Sequence, residues 1–192
     1  FMPNTKILSF GTVGCNFRCS FCQNYEISQA PREAARQGKH GNDGGIFGEE
    51  MSPKDIVSMA VKNNIPSIAY TYNEPAIFIE YAYDTAKLAH ETKFASNRST
   101  DDNNINTKGN NLTHIKNVYV SNGYETKEAL ELMKPYIDAM NIDLKSFSDE
   151  FYKEVCGAKL APVLETIKRA NEMGFWIEIT TLIIPEKNDS EK

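Results

Sequence analysis

No apolar run in this 192-residue sequence approaches the roughly 18 residues that a membrane-spanning helix needs, so no transmembrane segment is expected. Positive charge is not in excess either: 21 Lys and Arg stand against 26 Asp and Glu, for a formal net charge of −5. Proteins that grip a nucleic-acid backbone gather Lys and Arg on one face, and no such stripe is present, which argues against phosphate-backbone binding as the main activity. The N-terminus, Phe1-Met2-Pro3-Asn4, offers neither the charged start nor the apolar stretch of a signal peptide. Cysteine is scarce, four residues in all, but Cys15, Cys19 and Cys22 lie close together. Three clustered thiols cannot all pair with one another, and only Cys156 remains as a distant partner. Without a secretion signal, this pattern points to metal binding in a reducing compartment, and the cytoplasm is the expected location.

What is present is an alternation of short β-rich runs with amphipathic helical stretches, in a chain of ordinary composition (41% hydrophobic, 24% charged). The length fits a single domain over residues 1–192. Strands are expected over residues 6–10, 67–72, 117–120, 139–144 and 175–184. Helices are expected from Ser52-Pro53-Lys54-Asp55, where Ser caps and Pro enters the first turn, and over residues 75–91, 126–136 and 162–173. This βαβα order belongs to a parallel α/β sheet or barrel. The unbroken apolar run at 175–184 suggests a strand buried on both faces. Residues 30–50 are Gly-rich and polar, and residues 93–114 read as a flexible surface insertion. A missing initiator Met and a helix-like start at Asn188-Asp189-Ser190 lead us to expect a fragment of a longer protein.

The chemistry concentrates in Gly14-Cys15-Asn16-Phe17-Arg18-Cys19-Ser20-Phe21-Cys22, spaced C-x3-C-x2-C directly after the first strand. Thiolates are soft ligands that suit iron–sulfur clusters or zinc. Three of them on a [4Fe–4S] cubane leave one iron without a protein ligand, free to chelate the amino and carboxylate groups of a methionine moiety. Gly11 and Gly14 are expected to let the backbone turn tightly around the cluster. Two alternatives remain open on residue types alone. A zinc site could add one of His40, His90 or His114 to the three cysteines, and a non-catalytic iron–sulfur electron carrier could use Cys156 as fourth ligand. The three histidines otherwise show no partner pattern.

The cysteine spacing, with the aromatic Phe21 just before the third cysteine, resembles the radical SAM superfamily. Beyond the loop, the chain resembles proteins akin to pyruvate formate-lyase activating enzyme, and most of all the radical SAM member of the AmmeMemoRadiSam set. The resemblance implies a partial parallel (β/α)6-type barrel, apparently truncated, with a [4Fe–4S] cluster on Cys15, Cys19 and Cys22 and S-adenosyl-L-methionine (SAM) as cofactor. Tyr70-Thr71-Tyr72-Asn73-Glu74-Pro75 stands where the superfamily commonly has Gly-Gly-Glu-Pro, which assigns Asn73 and Glu74 to the SAM ammonium. Val120-Ser121-Asn122-Gly123 is similar to the Asp-Thr-Asn-Gly turn of glycyl-radical activases, with Val120 in place of the acid, and brings in Asn122. Asn141-Ile142-Asp143-Leu144-Lys145 matches their Asp-Leu-Lys, which assigns Asp143 and Lys145 to the SAM ribose and carboxylate region. On residue chemistry alone, Asn-Glu-Pro also reads as a helix start, Asn122-Gly123 as a tight turn, and Asp143 with Lys145 as a salt bridge. No catalytic side chain is assigned beyond the cluster ligands. The resemblance further implies a low-potential electron donor of flavodoxin or ferredoxin type, and favours a glycyl residue of a partner protein as substrate.

Overall fold

The computed structural model describes residues 1–39, 48–95 and 112–189. In chain order its elements are β1 (Leu8–Phe10), α1 (Tyr25–Arg36), α2 (Pro53–Lys62), β2 (Ser67–Tyr70), a 3-10 turn over Pro75–Phe78 running into α3 (Ile79–Glu91), β3 (Lys93–Ala95), β4 (Leu112–His114), β5 (Lys116–Ser121), α4 (Lys127–Met133), β6 (Ala139–Asp143), α5 (Asp149–Phe151) continuing as a π-turn over Tyr152–Cys156, α6 (Leu160–Glu172) and β7 (Trp176–Thr180). Five strands form one parallel sheet in the order β1-β2-β5-β6-β7. Spatial order follows chain order, so the C-terminal ends of all five strands lie along one edge. That edge carries every motif singled out in the sequence.

Local chemistry explains the elements. Ser52 accepts the Asp55 N–H while Asp55 accepts the Ser52 N–H, and Pro53 supplies the first turn of α2. Helix α2 then buries Ile56, Val57 and Ala60. Helix α3 turns Ala82, Ala86 and Ala89 inward, all fully buried; small side chains let its backbone approach the sheet closely. Strand β5 alternates: Asn117, Tyr119 and Ser121 are buried, whereas Val118 and Val120 are half-buried and face cavities. The core joins Ile68, Tyr70, Tyr119, Ile142, Tyr152 and Val163, with Tyr70 and Tyr119 stacked at 5.5 Å.

Three expectations are corrected. The 175–184 run is strand only over Trp176–Thr180 and pairs only with β6 among the described residues. It is an edge strand and is not buried on both faces, since Trp176 and Ile179 are more than half exposed. The polar stretch from residue 30 begins inside helix α1, which carries Pro31 and, although polar on average, sets Ile27, Ala30, Pro31 and Ala34 at helical spacing on one face. Contacts with the cysteine loop add to its hold. The 93–114 insertion starts and ends as an antiparallel ribbon, with Phe94 opposite Thr113; residues 96–111 lie outside the described residues.

Candidate active site

A cavity of about 360 Å³ opens at the C-terminal edge of the sheet. Cys15, Cys19, Cys22 and Phe21 line it from the loop after β1, Asn73 and Glu74 from the end of β2, Asn122 from β5, and Asp143 and Lys145 from β6. All the residues assigned in the sequence to the cluster and to SAM thus meet at one place, although up to 130 positions separate them.

The cysteine loop is anchored from several sides. The Arg18 and Ser20 N–H groups donate to the carbonyls of Cys156 and Val155 in the π-turn, both at 2.9 Å. From α1, Gln29 Nε2 and Arg32 Nη1 both donate to the Phe17 carbonyl, at 3.1 and 3.0 Å. Phe17 itself is buried edge-on against Tyr124 and Tyr152. Asn73 ties the loop to β2: its Oδ1 accepts the Thr12 N–H at 3.0 Å, and its Nδ2 donates to Thr12 Oγ1 and to the Gly14 carbonyl at 3.0 and 2.9 Å. The amide of Asn73 is therefore already engaged by the loop. Gly14 has φ +99°, as expected of a tight turn. Gly11 serves a different purpose, close approach: a Cβ there would lie 2.3 Å from the Thr71 carbonyl.

Tyr72, at the position of a superfamily glycine, holds φ +70°, the left-handed conformation that glycine favours. For a side-chain-bearing residue that conformation costs about 1–2 kcal/mol of backbone strain. Its carbonyl accepts from Asn24 Nδ2 at 2.8 Å. Glu74 is buried and thoroughly hydrogen-bonded. Its Oε1 accepts the Ala76 N–H at 3.1 Å and the Ser121 hydroxyl at 3.0 Å, and its Oε2 accepts the Asn122 N–H at 2.7 Å. Burial pushes its carboxyl up to about 7, with those three donors working against the rise. Asn122 in turn points Nδ2 at Asn16 Oδ1, 2.7 Å away, and at Cys15 Sγ, 3.8 Å away.

Lys145 Nζ lies 3.0 Å from Asp143 Oδ2 and 5.8 Å from the centre of the Phe21 ring. Burial alone would lower the Lys145 ammonium, but the Asp143 carboxylate and then the Cys19 thiol outweigh it and leave it raised. The salt bridge and the cavity-lining position both hold, because the pair sits at the mouth of the cavity with Asp143 partly exposed.

The donor set fits an iron–sulfur cluster. Three thiols line one cavity, the Phe17 N–H lies 3.4 Å from Cys15 Sγ, and the Ser28 hydroxyl lies 3.3 Å from Cys22 Sγ; hydrogen bonds to sulfur are among the features that tune a cluster. Burial pushes the Cys15 thiol up to about 11. The Cys156 thiol and burial raise that of Cys19. Among the described residues no three His, Cys, Asp or Glu side chains converge on a single metal ion. Neither His90 nor His114 lines the cavity, and His40 lies outside the described residues. Of the described histidines, His90 and His114 pack against each other. His114 and His90 rings sit 4.4 Å apart, and His114 Nε2 lies 2.8 Å from Lys116 Nζ, near the start of β5 and away from the site.

Sequence reasoning missed Asn24, Ser28, Ser121 and Glu125. Ser121 Oγ lies 3.0 Å from Glu74 and 3.2 Å from Glu125, joining two buried carboxyl groups. No motif marks Glu125; the one signal was an acid immediately before the Thr126 helix cap.

Comparison with known proteins decides the family. The radical SAM superfamily matches residues 10–192. The chain belongs to the radical SAM superfamily. That membership implies a [4Fe–4S] cluster and SAM. The uncharacterized protein MJ0808 of Methanocaldococcus jannaschii is 40% identical over 190 residues, covering 99% of this chain and 46% of that protein, so this radical SAM chain spans about half the length of its curated relative. Among solved structures, Streptococcus suis SuiB bound to S-adenosylmethionine superimposes with a TM-score of 0.54 at 16% identity, over 90% of this chain and 31% of that one. A domain of pyruvate-formate lyase-activating enzyme from Bacteroides vulgatus gives 0.50 at 19% identity, over 65% of each. At these identities the likeness concerns the fold: a parallel α/β sheet with helices. Among the described residues no helix is long and apolar enough to cross a membrane.

Proposed function

We propose that this radical SAM chain is the SAM-cleaving core of an enzyme, with Cys15, Cys19 and Cys22 holding the [4Fe–4S] cluster and a reducing, cytoplasmic setting. The observation that carries the proposal is the convergence of those three thiols with the C-terminal ends of β2, β5 and β6 on one cavity. The cluster and SAM, when bound, supply reductive cleavage of SAM to methionine and a 5′-deoxyadenosyl radical that abstracts hydrogen from the substrate. The chain's own residues bind, orient and exclude water. Asn73 and Asn122 hold the cysteine loop, Glu74 fixes the ends of β2 and β5 against each other, and Asp143 with Lys145 present a paired charge to the ribose and carboxylate end of SAM. Phe21 lends the cavity an apolar ring, packed against Phe151.

By its motifs we read the chain as nearest the activating-enzyme branch and the AmmeMemoRadiSam set. A glycyl residue of a partner protein is the favoured substrate, and a flavodoxin- or ferredoxin-type protein the favoured electron donor. This finer reading rests on motif resemblance and fold. The electron-carrier alternative needs Cys156 as a fourth ligand. That residue lies fully buried beside Cys19 and does not line the cavity, which favours the catalytic reading. The test is anaerobic reconstitution of the full-length protein with dithionite and SAM. 5′-Deoxyadenosine is expected, and is lost in Cys15→Ala, Cys19→Ala and Cys22→Ala; a brown protein that makes none would overturn the proposal.

A further inference from the structure

Two buried carboxyl groups, Glu74 and Glu125, flank one hydroxyl. Ser121 Oγ approaches Glu74 Oε1 at 3.0 Å and Glu125 Oε1 at 3.2 Å, and it accepts the Gly123 N–H at 2.9 Å. A serine hydroxyl has one proton to give and two lone pairs. The Gly123 N–H occupies one lone pair. The single Ser121 proton can satisfy only one carboxyl, so the other must bring its own and donate it to the remaining lone pair. The two candidates differ in their surroundings. Glu74 already accepts two backbone N–H groups, from Ala76 and Asn122, which favour a carboxylate. Glu125 borders a small cavity otherwise lined by Tyr119, Leu130, Met133, Ile137, Met140 and Phe175. That environment penalises charge.

We propose that Glu125 is a proton-bearing positioning residue: its neutral carboxyl donates to Ser121 Oγ, the Ser121 hydroxyl donates to an ionised Glu74, and the chain holds the Ser121–Asn122–Gly123 turn against the cysteine loop. Asn122 is the outlet of this chain, because its N–H is bound by Glu74 while its Nδ2 points at Asn16 and Cys15 Sγ. The groups facing Glu125 are consistent with a neutral carboxyl. Glu74 repels a second charge from the end of β2, and from β5 the Tyr119 hydroxyl is buried with no partner. Lys134 lies beyond the Phe175 ring, 4.2 Å from its centre, and Lys145 bears on Glu74. Burial and then the Glu74 charge push Glu125 up to about 8.

Such a carboxyl costs folding nothing below its unfolded value of 4.5, and increasingly destabilises the fold as pH rises toward 8. Glutamine reproduces the neutral donor without the penalty. The consequence for SAM rests on the proposed function; the proton assignment does not.

The test uses the full-length protein, purified anaerobically, as wild type, Glu125→Gln and Glu125→Ala. Infrared difference spectra between pH 5 and 9 should show neutral-carboxyl carbonyl absorption that persists at pH 7 and above and is reduced in Glu125→Gln, what remains near and below pH 7 belonging to Glu74. The melting temperature of wild type should fall by several degrees relative to Glu125→Gln over that range. SAM affinity, read from the cluster's paramagnetic resonance signal, should be retained in Glu125→Gln and weakened on the order of tenfold in Glu125→Ala, the size of one lost hydrogen bond. The proposal is overturned if the absorption is unchanged by Glu125→Gln, if wild type and Glu125→Gln melt in parallel across the pH range, or if Glu125→Gln is as damaged as Glu125→Ala. A wild type that shows the absorption lost in Glu125→Gln but binds no SAM would refute the proposed function and leave the proton on Glu125.

Discussion

Replacing Asn73 with alanine should detach the cysteine loop from the sheet. Three hydrogen bonds disappear together: Thr12 N–H to Oδ1, and Nδ2 to Thr12 Oγ1 and to the Gly14 carbonyl. The bond to Gly14 is buried and its carbonyl is left without that donor, while the other two are partly buried. Taking about 1–2 kcal/mol for the buried bond and about 0.5–1 for each of the others, the loss comes to about 3 kcal/mol. This is a large share of the stability of an ordinary domain, about 5–15 kcal/mol. Because the missing bonds hold Thr12 and Gly14, immediately before Cys15, the loss should fall on the loop's hold on its cluster as well as on global stability. Asn73→Asp makes the argument sharper. Its ionised carboxyl still accepts from Thr12 N–H but has nothing to donate to Gly14, so it should behave nearly as badly as alanine. The assays are urea denaturation of the full-length protein and iron per chain after anaerobic purification. A loss below about 0.5 kcal/mol with full iron content would refute the reasoning, and so would a normal Asn73→Asp.

Two further substitutions test the site's construction. Gly123→Ala forces a side chain onto φ +76° and sets its Cβ 2.8 Å from Ile142 Cγ2; a loss of about 2–4 kcal/mol is expected in denaturation, and a neutral change would contradict the packing of β6 against this turn. Cys156→Ala should keep its iron and the SAM-dependent change in the resonance spectrum, at a cost of about 1–2 kcal/mol from a fully buried position. Loss of the cluster in that variant would instead make Cys156 a ligand.

Sequence alone determined the alternation of strands and helices and the cysteine loop, because both are local. A C-x3-C-x2-C spacing, a Ser-Pro-x-Asp helix start and apolar residues at helical period act over one or two turns of chain. It also pointed to the residues that meet at the cavity, since each closes or follows a strand and parallel strands in chain order bring those ends to one edge. Tertiary structure alone decided what those residues touch. Asn73 reads as a ligand contact in the sequence, yet its amide is engaged by a loop 60 positions earlier. Helix α1 escaped notice because it is polar on average, carries Pro31 and buries Ser28 and Gln29, the latter bonded to the cysteine loop. The edge position of β7 could not be read from an apolar run, since a run records side-chain type and not the number of neighbours. Glu125 carries no motif at all. Its proposed role depends on a hydroxyl shared with Glu74, 51 residues away, and hydrogen bonds between buried groups exist only once the strands that carry them are paired.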